Sequence, residues 1–143
     1  MTSSIALYFP MLALFLFTLV VGIRLLALRT GAVRRGNVRL SYFRNFNTGN
    51  QPDSLATGQR AFNNLFEAPT LFYVVCLALM VWRQGDHLYL LLAWLYVVAR
   101  VVQGGIHLTY NNVLHRSLAY MASMVILVIL WVRLGITLAS VPG

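Results

Sequence analysis

Four apolar stretches divide this chain, each separated from the next by a polar connection. They cover residues 5–28, 55–82, 87–110 and 117–139. As α-helices, each is long enough to cross a hydrocarbon layer about 30 Å thick. The pattern predicts an all-α fold, a transmembrane four-helix bundle forming one domain over residues 1–143. Pro10 falls inside the first stretch, where a lipid-embedded helix tolerates it better than a soluble one does. No positive charge precedes Ile5, whereas arginines follow Leu28. That order is the reverse of a secretory signal, so an uncleaved first helix is expected.

Polar residues interrupt the pattern in two places. The second stretch opens with Arg60, Asn64 and Glu67 at i, i+4 and i+7, one face of a helix. The third closes with Arg100, Gln103, His107 and Tyr110 at i, i+3, i+7 and i+10, again one face. Gly104 and Gly105 beside them permit close helix approach or a local break. Charges within an apolar helix are costly unless they pair or line a wet cavity. On straight antiparallel helices, Glu67 lies about 24 Å and Arg100 about 20 Å from the turn at residues 83–86, at about 1.5 Å per residue. Those matched depths predict a structural ion pair, Glu67 with Arg100. Arg60, Asn64, Gln103, His107, Tyr110 and Arg116 are then left as a surplus of donors, which suggests a cavity for an anionic ligand.

Composition agrees with a membrane environment. The chain has 143 residues, 59% of them apolar and only 10% charged, with a mean hydropathy of +0.74. A soluble protein this apolar could not cover its surface. All 11 basic residues are arginine, against three acids, Asp53, Glu67 and Asp86. Six arginines lie between Arg24 and Arg44, directly after the first apolar stretch. This reads as a cytoplasmic loop over residues 29–56 facing anionic lipid, which puts both termini outside. Within it, Pro52-Asp53-Ser54 reads as a helix start, with Asp53 or Ser54 as cap. Small size and all-arginine basicity fit a bacterial inner membrane. No nucleic-acid-binding motif accompanies the charge. His87, His107 and His115 do not form a metal set, so no metal is expected. No serine has a histidine and an acid at triad spacing, and no glycine loop cradles phosphate. Cys76 reads as a small core side chain, and Arg133 as an arginine that snorkels.

The Arg60–Asn64–Glu67 triplet at the start of the second helix, Arg100 late in the third, and the basic first connection resemble one family across nearly the whole chain. It is the membrane-associated proteins in eicosanoid and glutathione metabolism (MAPEG), which include the microsomal glutathione transferases. The resemblance implies a homotrimer with glutathione held between subunits near the inner side. It implies glutathione binding by Arg60, Asn64 and Glu67, and the surplus donors Gln103, His107 and Tyr110 on the facing helix are read as further ligand-binding residues. Arg116 stands where the family's catalytic arginine stabilises the thiolate, a sensible role because a fixed cation lowers a thiol pKa. Where the family's enzymes carry tyrosines, this chain has Gln103, His107 and Thr109. The implied function is a glutathione-dependent transferase or peroxidase acting on a lipophilic small molecule. The alternative is a non-catalytic lipid-binding or scaffold protein of the same fold, in which the Glu67–Arg100 pair only holds helices together.

Overall fold

The computed structural model describes residues 4–36 and 53–140. After a 3₁₀ turn at Ser4–Leu7 come five helices: α1 (Tyr8–Arg34), α2 (Asp53–Asn64), α3 (Ala68–Val81), α4 (His87–Leu108) and α5 (Val113–Ala139). They make four membrane-length spans, because α2 and α3 follow each other as two halves of the second. The bundle is all-helical, as the hydropathy pattern predicts, but several boundaries move. The first helix runs six residues past Leu28, because arginine is a good helix former. It stops at Gly36, whose φ of 70° is the left-handed conformation that ends helices. The third ends at Leu108, and the fourth starts at Val113, where the Asn112 side chain accepts from the amides of Leu114 and His115. Asp53 is the first residue of α2 rather than its cap. Arg39, Arg44 and the aromatics among them lie outside the described residues.

The buried positions explain the packing. Along α1 they are Pro10, Leu14, Val21, Leu25 and Ala32, spaced four and seven apart. Along α5 they are Ser123, Leu127, Leu130 and Leu134. Each set is a single stripe with a repeat near 3.5 residues, which winds helices together at shallow angles. Large apolar side chains fill much of the opposite, exposed surface of each, as expected of a surface facing lipid. In the middle of the bundle Phe72 of α3 stacks on Tyr96 of α4, with ring centroids 4.4 Å apart. Cys76, fully buried, packs in the same cluster. Phe17 of α1 lies directly over Gly104 of α4, where an added Cβ would come within 2.7 Å of the ring. Of the two expectations for this glycine pair, close approach holds, since α4 passes through both residues unbroken.

The break comes instead in the second span. Pro69 has no N–H to give, and inside a continuous helix its ring would collide with the carbonyl four residues earlier. The chain therefore closes α2 with tight bonds from Leu65 N to Phe62 O and Phe66 N to Asn63 O. It restarts α3 with Pro69 in the first turn, where proline is favoured.

At the opposite end Asp86 caps α4, accepting from Tyr89 N at 2.9 Å. It also receives both arms of Arg133, whose Nη1 reaches Oδ1 at 2.9 Å. Arg133 lies over the Tyr89 ring, 3.9 Å from its centroid. Rather than snorkelling to water alone, Arg133 ties the start of α4 to the end of α5. The Arg133 hydrogen bonds hold the Asp86 carboxyl at about 2, below the usual 3.8. A depressed carboxylate stabilises the fold above its unfolded pKa and loses that contribution as pH falls through the folded one. Replacing Asp86 with asparagine keeps a capping oxygen but removes the charge. Wild type should lose thermal stability more steeply than D86N between about pH 4 and pH 2. At neutral pH the difference should be no more than about 1 kcal/mol, because the carboxylate is half exposed. Thermal unfolding in detergent across that range checks both. The chain has only two other acidic side chains, so few other carboxylates contribute to the slope.

Candidate functional site

α4 gathers the polar groups. Its buried face runs Tyr89, Ala93, Tyr96, Val97, Arg100, Gln103, Gly104 and His107. Three of the four residues expected on one face are therefore on it. The fourth, Tyr110, comes after the helix has ended and is exposed, its hydroxyl 3.2 Å from His115 Nδ1.

Arg100 is fully buried. The ion pair predicted for it with Glu67 does not form, and among the described residues the one ion pair is Asp86 with Arg133. The prediction assumed a straight second helix. Because α2 stops at Asn64, Glu67 falls in the break and is exposed. Arg100 Nη2 donates to the Asn64 carbonyl, one of the oxygens that the end of α2 leaves free. A cation at the carbonyl end of a helix is favoured by the helix dipole. The Tyr120 ring, 5.5 Å from the guanidinium, adds a cation–π contact. Arg100 Nε and Nη1 have no hydrogen-bond partner.

Seven residues further along, about 10 Å down the helix, His107 is 2% exposed. Neither of its ring nitrogens has a hydrogen-bond partner. Arg116 and Arg60, on α5 and α2, both act on it electrostatically. Arg60 is exposed and Arg116 half-buried, with Nη1 donating to Asn111 Oδ1 at 2.9 Å. His107 lines a cavity of about 310 Å³ between α1, the first turns of α2 and the end of α4. Arg24, Asp53, Ser54 and Asn111 share its wall. Hydropathy pointed to neither Arg24 nor Asp53 as a site residue. A second cavity, of about 600 Å³, opens between α1 and the break, lined by Phe15, Gly22, Phe62, Leu65, Phe66 and others. It is almost wholly apolar, its polar side chains being Thr18, Thr70 and Tyr73.

The described residues hold no group of three or more histidines, cysteines or acids able to share a metal. Their resources are buried hydrogen-bonding groups and fixed cations, suited to holding a polar anion beside an apolar space. The model of one family, described as the MAPEG family, matches residues 7–136. The chain belongs to the MAPEG family. Its members include glutathione transferases and related enzymes, and they generally use glutathione. With four apolar spans, this MAPEG protein is an integral membrane protein. No curated protein and no solved structure matches it.

Proposed function

We propose that this MAPEG protein is a glutathione-dependent transferase or peroxidase acting on lipophilic electrophiles. The observation that carries the reading is His107, buried at the end of the bundle with no hydrogen-bond partner for either ring nitrogen and within electrostatic reach of Arg60 and Arg116. A buried imidazole with two unsatisfied nitrogens costs free energy until something bonds to it. A peptide thiol carrying carboxylates suits an end of the bundle where a hydrogen-bonding imidazole lies in the field of two guanidinium groups. Arg60, Asn64, Gln103, His107 and Tyr110 would line the tripeptide, and Glu67, exposed at the break, would meet its amide N–H groups. Arg100, whose Nη2 holds the Asn64 carbonyl at the end of α2, serves the fold.

Arg116 would stabilise the thiolate. The thiol proton passes to solvent and the sulfur attacks the electrophilic carbon. As the S–C bond forms, the leaving group departs with the bonding pair. With a hydroperoxide, the sulfur attacks the terminal oxygen, and a second glutathione completes the disulfide, releasing alcohol and water. The apolar cavity at the break supplies a place for the lipophilic partner, reached from the bilayer. In this reading the arginine-rich end faces the cytoplasm, where glutathione is supplied, and a homotrimer brings subunits together around the site.

Calorimetric titration of the purified protein with glutathione tests the proposal. Saturable binding is expected, together with conjugation of a nitro-activated aryl chloride and release of chloride. Absence of binding would sink it.

A further inference from the structure

The cavity beside His107 has a charge pattern that a simple anion does not satisfy. Arg24 enters it from α1, its Nη2 fixed on the Leu108 carbonyl at 2.9 Å. That bond leaves the other guanidinium donors for a ligand. Asp53 enters from the first turn of α2. It has no hydrogen-bond or ion-pair partner among the described residues, and Arg24 does not pair with it. One wall therefore offers a cation and another a carboxylate, and the partnerless His107, near the end of α4, shares the lining. A phosphate or a fatty-acid carboxylate would gain from Arg24 but would be repelled by Asp53. A ligand carrying an ammonium and an oxyanion a few bonds apart would satisfy both.

From this cavity we infer that it is a zwitterion site, in which Asp53 takes an ammonium, Arg24 the accompanying oxyanion, and His107 a further hydrogen bond. Two ligands share that chemistry. One is the α-amino-acid head of the γ-glutamyl group of glutathione, a source that rests on the transferase reading. The other is the ethanolamine phosphate of a membrane lipid, which does not. Asn111, whose Oδ1 is occupied by Arg116, keeps its amide N–H groups for the oxyanion. It also joins the cavity directly to the residue proposed to hold the sulfur. The tripeptide would thus be gripped at its amino-acid end by α1 and α2, with its thiol toward α5.

The test removes the ammonium from the ligand and its acceptor from the protein. Glutathione and N-acetylglutathione are titrated calorimetrically into wild type and Asp53→Asn in phosphatidylcholine nanodiscs. Asp53 is exposed at a helix start, so the variant should keep the wild-type elution and melting temperature. Asp53→Ser serves as a second variant. A hydrogen bond to a charged group corresponds to roughly 10- to 100-fold in affinity. Wild type should prefer glutathione over its N-acetyl form by about that factor, and D53N should bind the two alike. Equal binding of both ligands by wild type, or an unchanged preference in the variant, would overturn the site. If wild type binds neither tripeptide, the transferase reading fails on its own and the lipid arm decides. Native mass spectrometry should then find phosphatidylethanolamine, but not its N-acyl form, retained by wild type and lost from D53N. Equal retention by both proteins would overturn the zwitterion site.

Discussion

Replacing Arg116 with alanine is expected to lower the rate of glutathione conjugation about 10²- to 10³-fold, the usual loss when one fixed group opposite a reacting anion is removed. The fold should survive. Arg116 is half-buried, and its one hydrogen bond is to Asn111 in the adjoining connection, so the stability cost should be about 1 kcal/mol. The shape of the pH profile is more telling than the rate. A guanidinium beside the sulfur holds the glutathione thiolate at a pH where a free thiol, with a pKa near 8.5, is mostly protonated. Without it, the rising limb should move to higher pH, toward the free-thiol value. Arg116→Lys keeps the charge while losing the planar fork, and should recover part of the rate and most of the profile. Steady-state rates for the three proteins between about pH 6 and 9.5 check this. An alanine variant with unchanged rate and profile would remove Arg116 from the chemistry, whereas no conjugation by wild type would favour the non-catalytic reading.

The second large effect is on stability, at the crossing of α1 and α4. Gly104→Val should cost about 1–3 kcal/mol, since filling a packed contact forces neighbours out of place. Phe17 Cζ and Cε1 stand 2.7 and 2.8 Å from where the new Cβ would be. The adjacent Gly105 has nothing within 4 Å of the same position, so Gly105→Val should change stability by no more than about 0.5 kcal/mol. Adding Phe17→Leu to Gly104→Val should restore much of the loss. Thermal or denaturant unfolding in one detergent compares the four proteins. If both valine variants melt alike, α1 does not cross α4 at this glycine.

How far the fold was legible depends on how local each signal is. Hydropathy is local, and so are the stripes on α1 and α5, which is why the four spans could be read directly. The triplet Arg60, Asn64 and Glu67 identified the family correctly, but its use as a single helical face failed at Pro69. A long apolar run outweighed one proline, although Glu67-Ala68-Pro69 carried the warning. Once the helix stops, the last residue of the triplet leaves the face and the carbonyl of Asn64, at the helix end, needs a donor. Arg100 meets that need, and the expected carboxylate partner is replaced by a backbone oxygen. Asp86 and Arg133 illustrate a different difficulty. They are 47 residues apart, and each looked complete alone, one in a turn and the other at a helix end. Placing both at the same end of the bundle would have suggested the contact. The cavity of Arg24, Asp53 and His107 draws on three spans, so no single stretch of sequence displays it.

Burial of the lone thiol has a practical use. Cys76 is sealed among Phe72, Val75 and Leu79 at the heart of the bundle, beyond the reach of a water-soluble maleimide in the folded protein. Any cysteine introduced at a surface position would therefore be labelled against a silent background, with no native residue to remove first. One placed at Gln84 and another at Ser54 would mark the two ends of the bundle separately. In sealed vesicles, an impermeant reagent would then read directly which end carries the arginines into the cell.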